Sequence, residues 1–197
     1  GNARRRAIYP EYKMGRKPAS DDIRATIQFV KELLNHTSAM QITVPTYEAD
    51  DVIATFVRTR GTGMMEIISN DSDYLALNVP CGAKPIPGVD AKYIRLYKTL
   101  CGDSADNIPG LKGFGPKSFE KIERELWNKH FEATQITDPD ATPGTVYQKI
   151  ADNADELLKF WQITGFFDVP LDLIQQHLSV GVPSFEKGDA MLKEYLN

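Results

Sequence analysis

Between Gly102 and Ser118 the chain sets four glycines and two prolines into 17 positions, Gly-Asp-Ser-Ala-Asp-Asn-Ile-Pro-Gly-Leu-Lys-Gly-Phe-Gly-Pro-Lys-Ser. No long helix or strand survives that spacing, because glycine gives up regular backbone and proline lacks an N–H. The stretch predicts a tight hairpin with outward backbone N–H groups, followed by a helix whose first turn holds Pro116. Apolar residues at Ile108, Leu111, Phe114 and Ile122 would anchor it to a core. Lys112, Lys117 and Lys121 flank it, so with Gly113, Gly115 and Ser118 it reads as a clamp for phosphate backbone that need not read bases.

Upstream, carboxylates gather in Glu48-Ala49-Asp50-Asp51 and Asn70-Asp71-Ser72-Asp73, and the glycine stretch adds Asp103 and Asp106. Seven such carboxylates at element ends suit hard divalent cations, which bind through oxygen. Local structure offers a competing account of each group. Acids in the first turn of a helix are stabilised by its dipole, and Asp71 could cap a short helix through Tyr74, Leu75 and Leu77.

The intervening pattern sets these groups on a scaffold. Ser20 is expected to cap a helix whose Ile23, Ile27, Val30 and Leu34 face the core. Gln41–Val44 reads as a strand stopped by Pro45, and Thr46 as the cap of a helix with Val52, Ile53, Phe56 and Val57 inward. Glu66–Ser69 reads as a buried strand. Strand, helix, strand with apolar strands predicts a parallel α/β sheet, whose ligands bind beyond the strand ends. Asp71 and Asp73 fall there. Asp90 is expected to cap a helix carrying Ile94, Tyr97 and Cys101, which Gly102 ends. Asp138-Pro139-Asp140 and Thr142-Pro143-Gly144 mark turns, and Leu157, Leu158, Phe160 and Trp161 belong to a helix packing into a core.

The net charge of −4 over 197 residues conceals an asymmetry. The first 20 residues hold six cations against Glu11 alone, and a basic arm beside an acidic pocket is what a polyanion substrate would need. Two cysteines, Cys81 and Cys101, are too few for a disulfide framework. No apolar run approaches the roughly 18 residues of a membrane span, and the expectation is a cytoplasmic protein with no membrane partner.

In order and in kind, Glu48-Ala49-Asp50-Asp51, Asp71-Ser72-Asp73 and Gly102 to Lys117 resemble the motifs of the flap endonuclease and 5′→3′ exonuclease family, in the form found in bacteriophages and in the small domain of bacterial DNA polymerase I. Tyr12-Lys13-Met14-Gly15-Arg16 is similar to that family's Tyr-Lys-x-x-Arg segment. The resemblance implies a parallel-sheet, PIN-like α/β nuclease core over residues 1–101, with a gateway segment at 8–38, and a helix-hairpin-helix-type helical region over 102–197. It implies hydrolysis of DNA at 5′ ends or flaps with two magnesium or manganese ions held by Glu48, Asp50, Asp51, Asp71, Asp73, Asp103 and Asp106. Lys13 and Arg16 would grip the scissile phosphate, Lys112 to Lys121 the duplex, and a potassium ion would sit at the hairpin. The setting would be the cytoplasm of a bacterium or a phage-infected cell.

The family's two opening strands, each bearing a metal-binding Asp, have no counterpart here. A partial chain with an incomplete first metal site is therefore expected, and a non-catalytic module binding branched DNA stands as the alternative function.

Overall fold

The computed structural model describes residues 2–61, 63, 65–136 and 145–196; the turns expected at 138–140 and 142–144 lie outside them. Two compact units emerge, one of Gly1–Gly15 with Thr46–Asp168, the other of Arg16–Pro45 with Val169–Asn197.

The larger unit is mostly helical. Its elements are α1 (Ala3–Ile8), α3 (Ala49–Arg60), α4 (Ile94–Cys101), α5 (Pro116–Phe119), α6 (Arg124–Glu132), α7 (Val146–Asp152) and α8 (Ala154–Thr164), with short 3-10 turns at Ser72–Leu77, Ala91–Tyr93 and Ser104–Asp106. Helix α4 is the centre of the core: Leu96 and Leu100 are fully buried and share a cluster with Phe131, Phe160, Leu157 and Ile163. The hairpin residues Ile108, Leu111, Phe114 and Ile122 join the same cluster, as their spacing predicts. Trp161 and Phe160 are core residues, also as expected.

A second cluster holds Val57, Ile67, Tyr74 and Val79. Here the expected strand Glu66–Ser69 is reduced to one parallel bridge, Ile67 with Cys81. The Ile67 amide donates to the Pro80 carbonyl at 2.8 Å, but Pro80 has no N–H to extend the ladder, and Ile68 is 97% exposed. No parallel sheet forms among the described residues.

In the smaller unit, β1 (Met40–Ile42) pairs antiparallel with β2 (Leu178–Val180) in the register Met40 to Val180. It also holds α2 (Asp21–Leu34), α9 (Leu171–Gln176) and α10 (Phe185–Leu196). Ser20 caps α2 through the Ile23 amide as expected. The expected core face of α2 is not buried: Ile23, Ile27 and Val30 are exposed. Its aromatic contact lies elsewhere on the helix, where Phe29 stacks on Tyr195 at 4.0 Å. Among the described residues no helix is long and apolar enough to cross a membrane.

Candidate active site

The site begins with a residue the sequence reading passed over. Arg5, on α1, is buried and forms a two-pronged ion pair with Asp51, Nη1 to Oδ2 at 2.9 Å and Nη2 to Oδ1 at 2.7 Å. It also donates to the carbonyls of Ile163 and Gly165, each at 2.9 Å. Asp51 has no exposure at all, and its oxygens additionally accept the amides of Glu48 at 3.0 Å and Phe167 at 2.9 Å. Both oxygens are thus committed to holding the start of α3 against α1 and the end of α8. This places Asp51 in a structural role, apart from the other acids of its motif. The same geometry moves the cap of α3 to Glu48; Thr46 instead takes a left-handed conformation, φ 67°, and accepts from Arg4.

Glu48 faces the other way as well. Its Oε1 is 2.7 Å from the Lys13 ammonium, and its Oε2 is 3.0 Å from the Tyr12 hydroxyl and 3.1 Å from Arg5. Tyr12 lies equally close to Asp106, 2.9 Å from Oδ2, and Lys13 is 3.9 Å from the same oxygen. One phenol has one proton, so it can donate to Glu48 or Asp106 but not both. Burial and the fields of these two carboxylates push the Tyr12 hydroxyl far above its usual range, and it stays a donor. Acids 58 positions apart in sequence thereby share one hydroxyl and one ammonium.

The remaining acids form a neighbouring group. Lys98, near the end of α4, bonds Asp73 and also Asp103, the latter at 2.9 Å. Asp71 accepts the Asp73 amide at 3.0 Å, the helix-capping arrangement that sequence left open. Asp50 accepts a short bond from the Tyr74 hydroxyl. Burial pushes the Asp73 carboxyl up to about 6, with Asp71 and Asp103 adding to the rise and Lys98 opposing it. Asp50 is raised by burial, then by Asp71 and Glu48, against the Tyr74 hydrogen bond. Asp71 therefore lies within the electrostatic reach of both subgroups. Among the described residues no three acidic, histidine or cysteine side chains are gathered tightly enough to hold a metal ion. Two lysines stand between the paired carboxylates instead.

Asp103 and Asp106 owe their placement to the glycine stretch. Asp103 exchanges two backbone bonds with Ile108, at 2.8 and 2.9 Å, and the Leu111 amide reaches back to the Leu100 carbonyl at 2.8 Å. Gly102 and Gly110 sit backbone to backbone: a Cβ on Gly110 would meet the Gly102 nitrogen at 2.4 Å, and its φ is 66°. Only glycine fits both demands. Beyond it Lys112, Gly113, Lys117 and Lys121 are exposed and Gly115 and Ser118 half-buried. Pro116 opens α5 as expected, but α5 is a single turn of four residues, with little dipole of its own. A lysine not foreseen from sequence, Lys149 of α7, donates to the Lys112 carbonyl.

Of the two cations of the Tyr-Lys-x-x-Arg segment, Lys13 belongs to the larger unit and Arg16 to the smaller. Arg5, Tyr74 and Lys98 carried no motif signal. Lys98 could have been found from its place one turn before Gly102, on the helix that delivers Asp103.

Residues 1–81 match the family described as 5′-3′ exonuclease, N-terminal resolvase-like domain. Similar proteins include the 5′-3′ exonuclease of Aquifex aeolicus, 28% identical over 213 residues that take in 97% of this chain and 70% of that one. DNA polymerase I of Caldicellulosiruptor bescii is 36% identical over 148 residues. The chain belongs to the 5′-3′ exonuclease family. Its architecture is that of a mixed α/β, resolvase-like 5′-3′ exonuclease domain in which helices dominate. The Caldicellulosiruptor match covers 64% of this exonuclease-family chain but 17% of the polymerase. The thermostable DNA polymerase I of Thermus aquaticus, 30% identical, is matched over 86% of the chain and 22% of its own length. The chain thus spans about a fifth of the polymerases it matches.

Proposed function

We propose that the protein is a metal-dependent 5′ nuclease, a structure-selective 5′→3′ exonuclease or 5′-flap endonuclease that hydrolyses DNA phosphodiesters. One observation carries the reading: acids from three separate motifs are joined pairwise by shared donors, Glu48 to Asp106 through Tyr12 and Lys13, and Asp73 to Asp103 through Lys98. Membership in the 5′-3′ exonuclease family supports it.

The donor set fits hard divalent cations in kind. Glu48, Asp50, Asp71, Asp73, Asp103 and Asp106 outnumber Lys13 and Lys98, leaving a surplus of carboxylate oxygen that magnesium or manganese would neutralise. Two such ions would supply an activated water and stabilise the leaving oxygen. The side chains do the rest. Lys98 keeps Asp73 and Asp103 facing one another, and the Lys13 ammonium lies between Glu48 and Asp106, with the Tyr12 hydroxyl donating to one of the two. Lys13, with Arg16, would hold the scissile phosphate and polarise it. Lys112, Gly113, Gly115, Lys117, Ser118 and Lys121 would grip the duplex as a helix-hairpin-helix-type region over 102–197, where a potassium ion could bind the hairpin carbonyls. The core over 1–101, with its gateway segment at 8–38, would take the 5′ end in the manner of a PIN-like nuclease. The work would be done in the cytoplasm of a bacterium or a phage-infected cell.

A 5′-flap oligonucleotide incubated with the protein and magnesium should be cut, chelator should stop it, and Asp71→Asn should abolish it. Asparagine still caps a helix start, so the thermal midpoint should hold; an equally active Asp71→Asn protein would sink the reading. The alternative reading is a branched-DNA binding module, motivated by the lack of a counterpart to the two metal-binding aspartates of the family's opening strands. It predicts salt-sensitive binding with no product under any divalent ion.

A further inference from the structure

A cavity of about 400 Å³ lies in the larger unit between α3, α4, α6 and α8, lined among others by Arg58, Lys92, Arg95, Asn128, Glu132 and Trp161. Its size is that of a small-molecule pocket. Its cations are not equivalent. Arg58 is paired with Asp168 and Lys92 with Glu125. Arg95 has no ion-pair partner among the described residues.

Arg95 is nevertheless fixed with care. Its Nε and Nη2 both donate to the Trp161 carbonyl, at 2.9 and 2.7 Å, and its guanidinium lies 3.9 Å from the centre of the Trp161 ring. Gly165 makes the room: a Cβ there would meet the guanidinium carbon at 2.5 Å. That leaves Nη1 without a protein acceptor among the described residues, on a side chain that lines the cavity. Burial and the nearby Arg58 push this guanidinium down to about 10, and Glu132 only partly offsets them. A guanidinium partly stripped of water, beside a second one, is a receptor for an anion.

We propose that this cavity is a phosphate-monoester site in which Arg95 and Arg58 take the phosphate and the remaining volume takes a mononucleoside. Two guanidinium groups with Lys92 at the margin match a dianion better than the single charge of an internal phosphodiester. The class of occupant, a nucleoside 5′-monophosphate, rests on the proposed hydrolysis, which would release such a product; the site itself rests on Arg95.

The test is calorimetric titration of the Asp71→Asn protein, in chelator, with 5′-deoxyadenylate, deoxyadenosine and a dinucleoside monophosphate. The nucleotide should bind saturably. The nucleoside and the diester should bind about tenfold or more weakly, and Arg95→Gln should weaken the nucleotide by a similar factor, as expected for loss of a charge-assisted hydrogen bond. Arg58→Gln, at a more exposed position, should weaken it too, and decides the matter if Arg95→Gln does not fold. Equal binding of nucleotide and nucleoside, equal binding of the diester, nucleotide affinity unchanged in both arginine variants, or no binding at all would each overturn the site. Nucleotide binding by a protein that cuts no DNA would retain the site and remove the hydrolysis.

Discussion

Arg5 and Asp51 meet as a buried, two-pronged ion pair that ties α1 to the first turn of α3, with N–O distances of 2.9 and 2.7 Å. Removing one partner leaves the other charge buried and uncompensated, which typically costs about 3–5 kcal/mol. Asp51→Ala is therefore expected to lower stability by about that amount in urea denaturation, far more than an exposed acid such as Asp22 replaced in the same way. A loss below about 1 kcal/mol, the range of surface pairs, would contradict the structural assignment of Asp51.

Lys98 should compete with divalent ions, because it already balances Asp73 and Asp103. Unit charges 4 Å apart exchange about 4 kcal/mol at an effective dielectric of 20, and even a third of that is roughly tenfold in affinity. Lys98→Met is expected to bind magnesium about tenfold more tightly, read by titration with calorimetric detection, while cutting a flap more slowly. Weaker magnesium binding would show that the ammonium organises the site rather than competing for it.

Gly110→Ala tests the glycine contact. The new Cβ would collide with the Gly102 nitrogen in a backbone at φ 66°, and left-handed strain alone contributes about 1 kcal/mol or more. The expected result is a loss of about 2–4 kcal/mol in chemical denaturation, together with weaker duplex binding. Gly115→Ala, with φ −150° and open space around its Cα, should leave the stability nearly unchanged.

Lys112, Lys117 and Lys121 are expected to act on DNA through phosphate alone. Each Lys→Ala change should weaken binding to any duplex sequence and reduce the slope of log affinity against log salt by about 0.9. A variant whose effect depends on base sequence would show that the hairpin reads more than the backbone.

The glycine hairpin, its apolar anchors and the end of α4 at Gly102 were legible because those signals are local: positive φ, missing N–H groups and apolar spacing within a few residues. The acidic motifs were legible as a group, but the division of labour inside Glu48-Ala49-Asp50-Asp51 was not. Asp51 is structural only because Arg5 arrives from 46 positions away, and nothing in the motif announces that partner. Thr46 does not cap α3, because Glu48, two residues on, takes the cap position in a reciprocal arrangement with Asp51. The strand expected at Glu66–Ser69 had apolar residues but one bridging partner, and apolarity alone does not supply a ladder. Helix α2 starts at its predicted Ser20 cap but does not bury the predicted face, since periodicity gives a stripe without naming what covers it.

The bonds from Arg5 to the carbonyls of Ile163 and Gly165 also set an order of assembly. A ribosome makes roughly 5–20 residues per second, so α1 must wait on the order of ten seconds before the backbone that receives Arg5 exists. During that interval the Arg5 guanidinium lacks the two carbonyls that complete its hydrogen bonding, and the end of α8 is not yet there to pack against it. The full hydrogen-bonding of the buried Arg5 guanidinium is therefore completed late in a nascent chain, only after residue 165 has emerged.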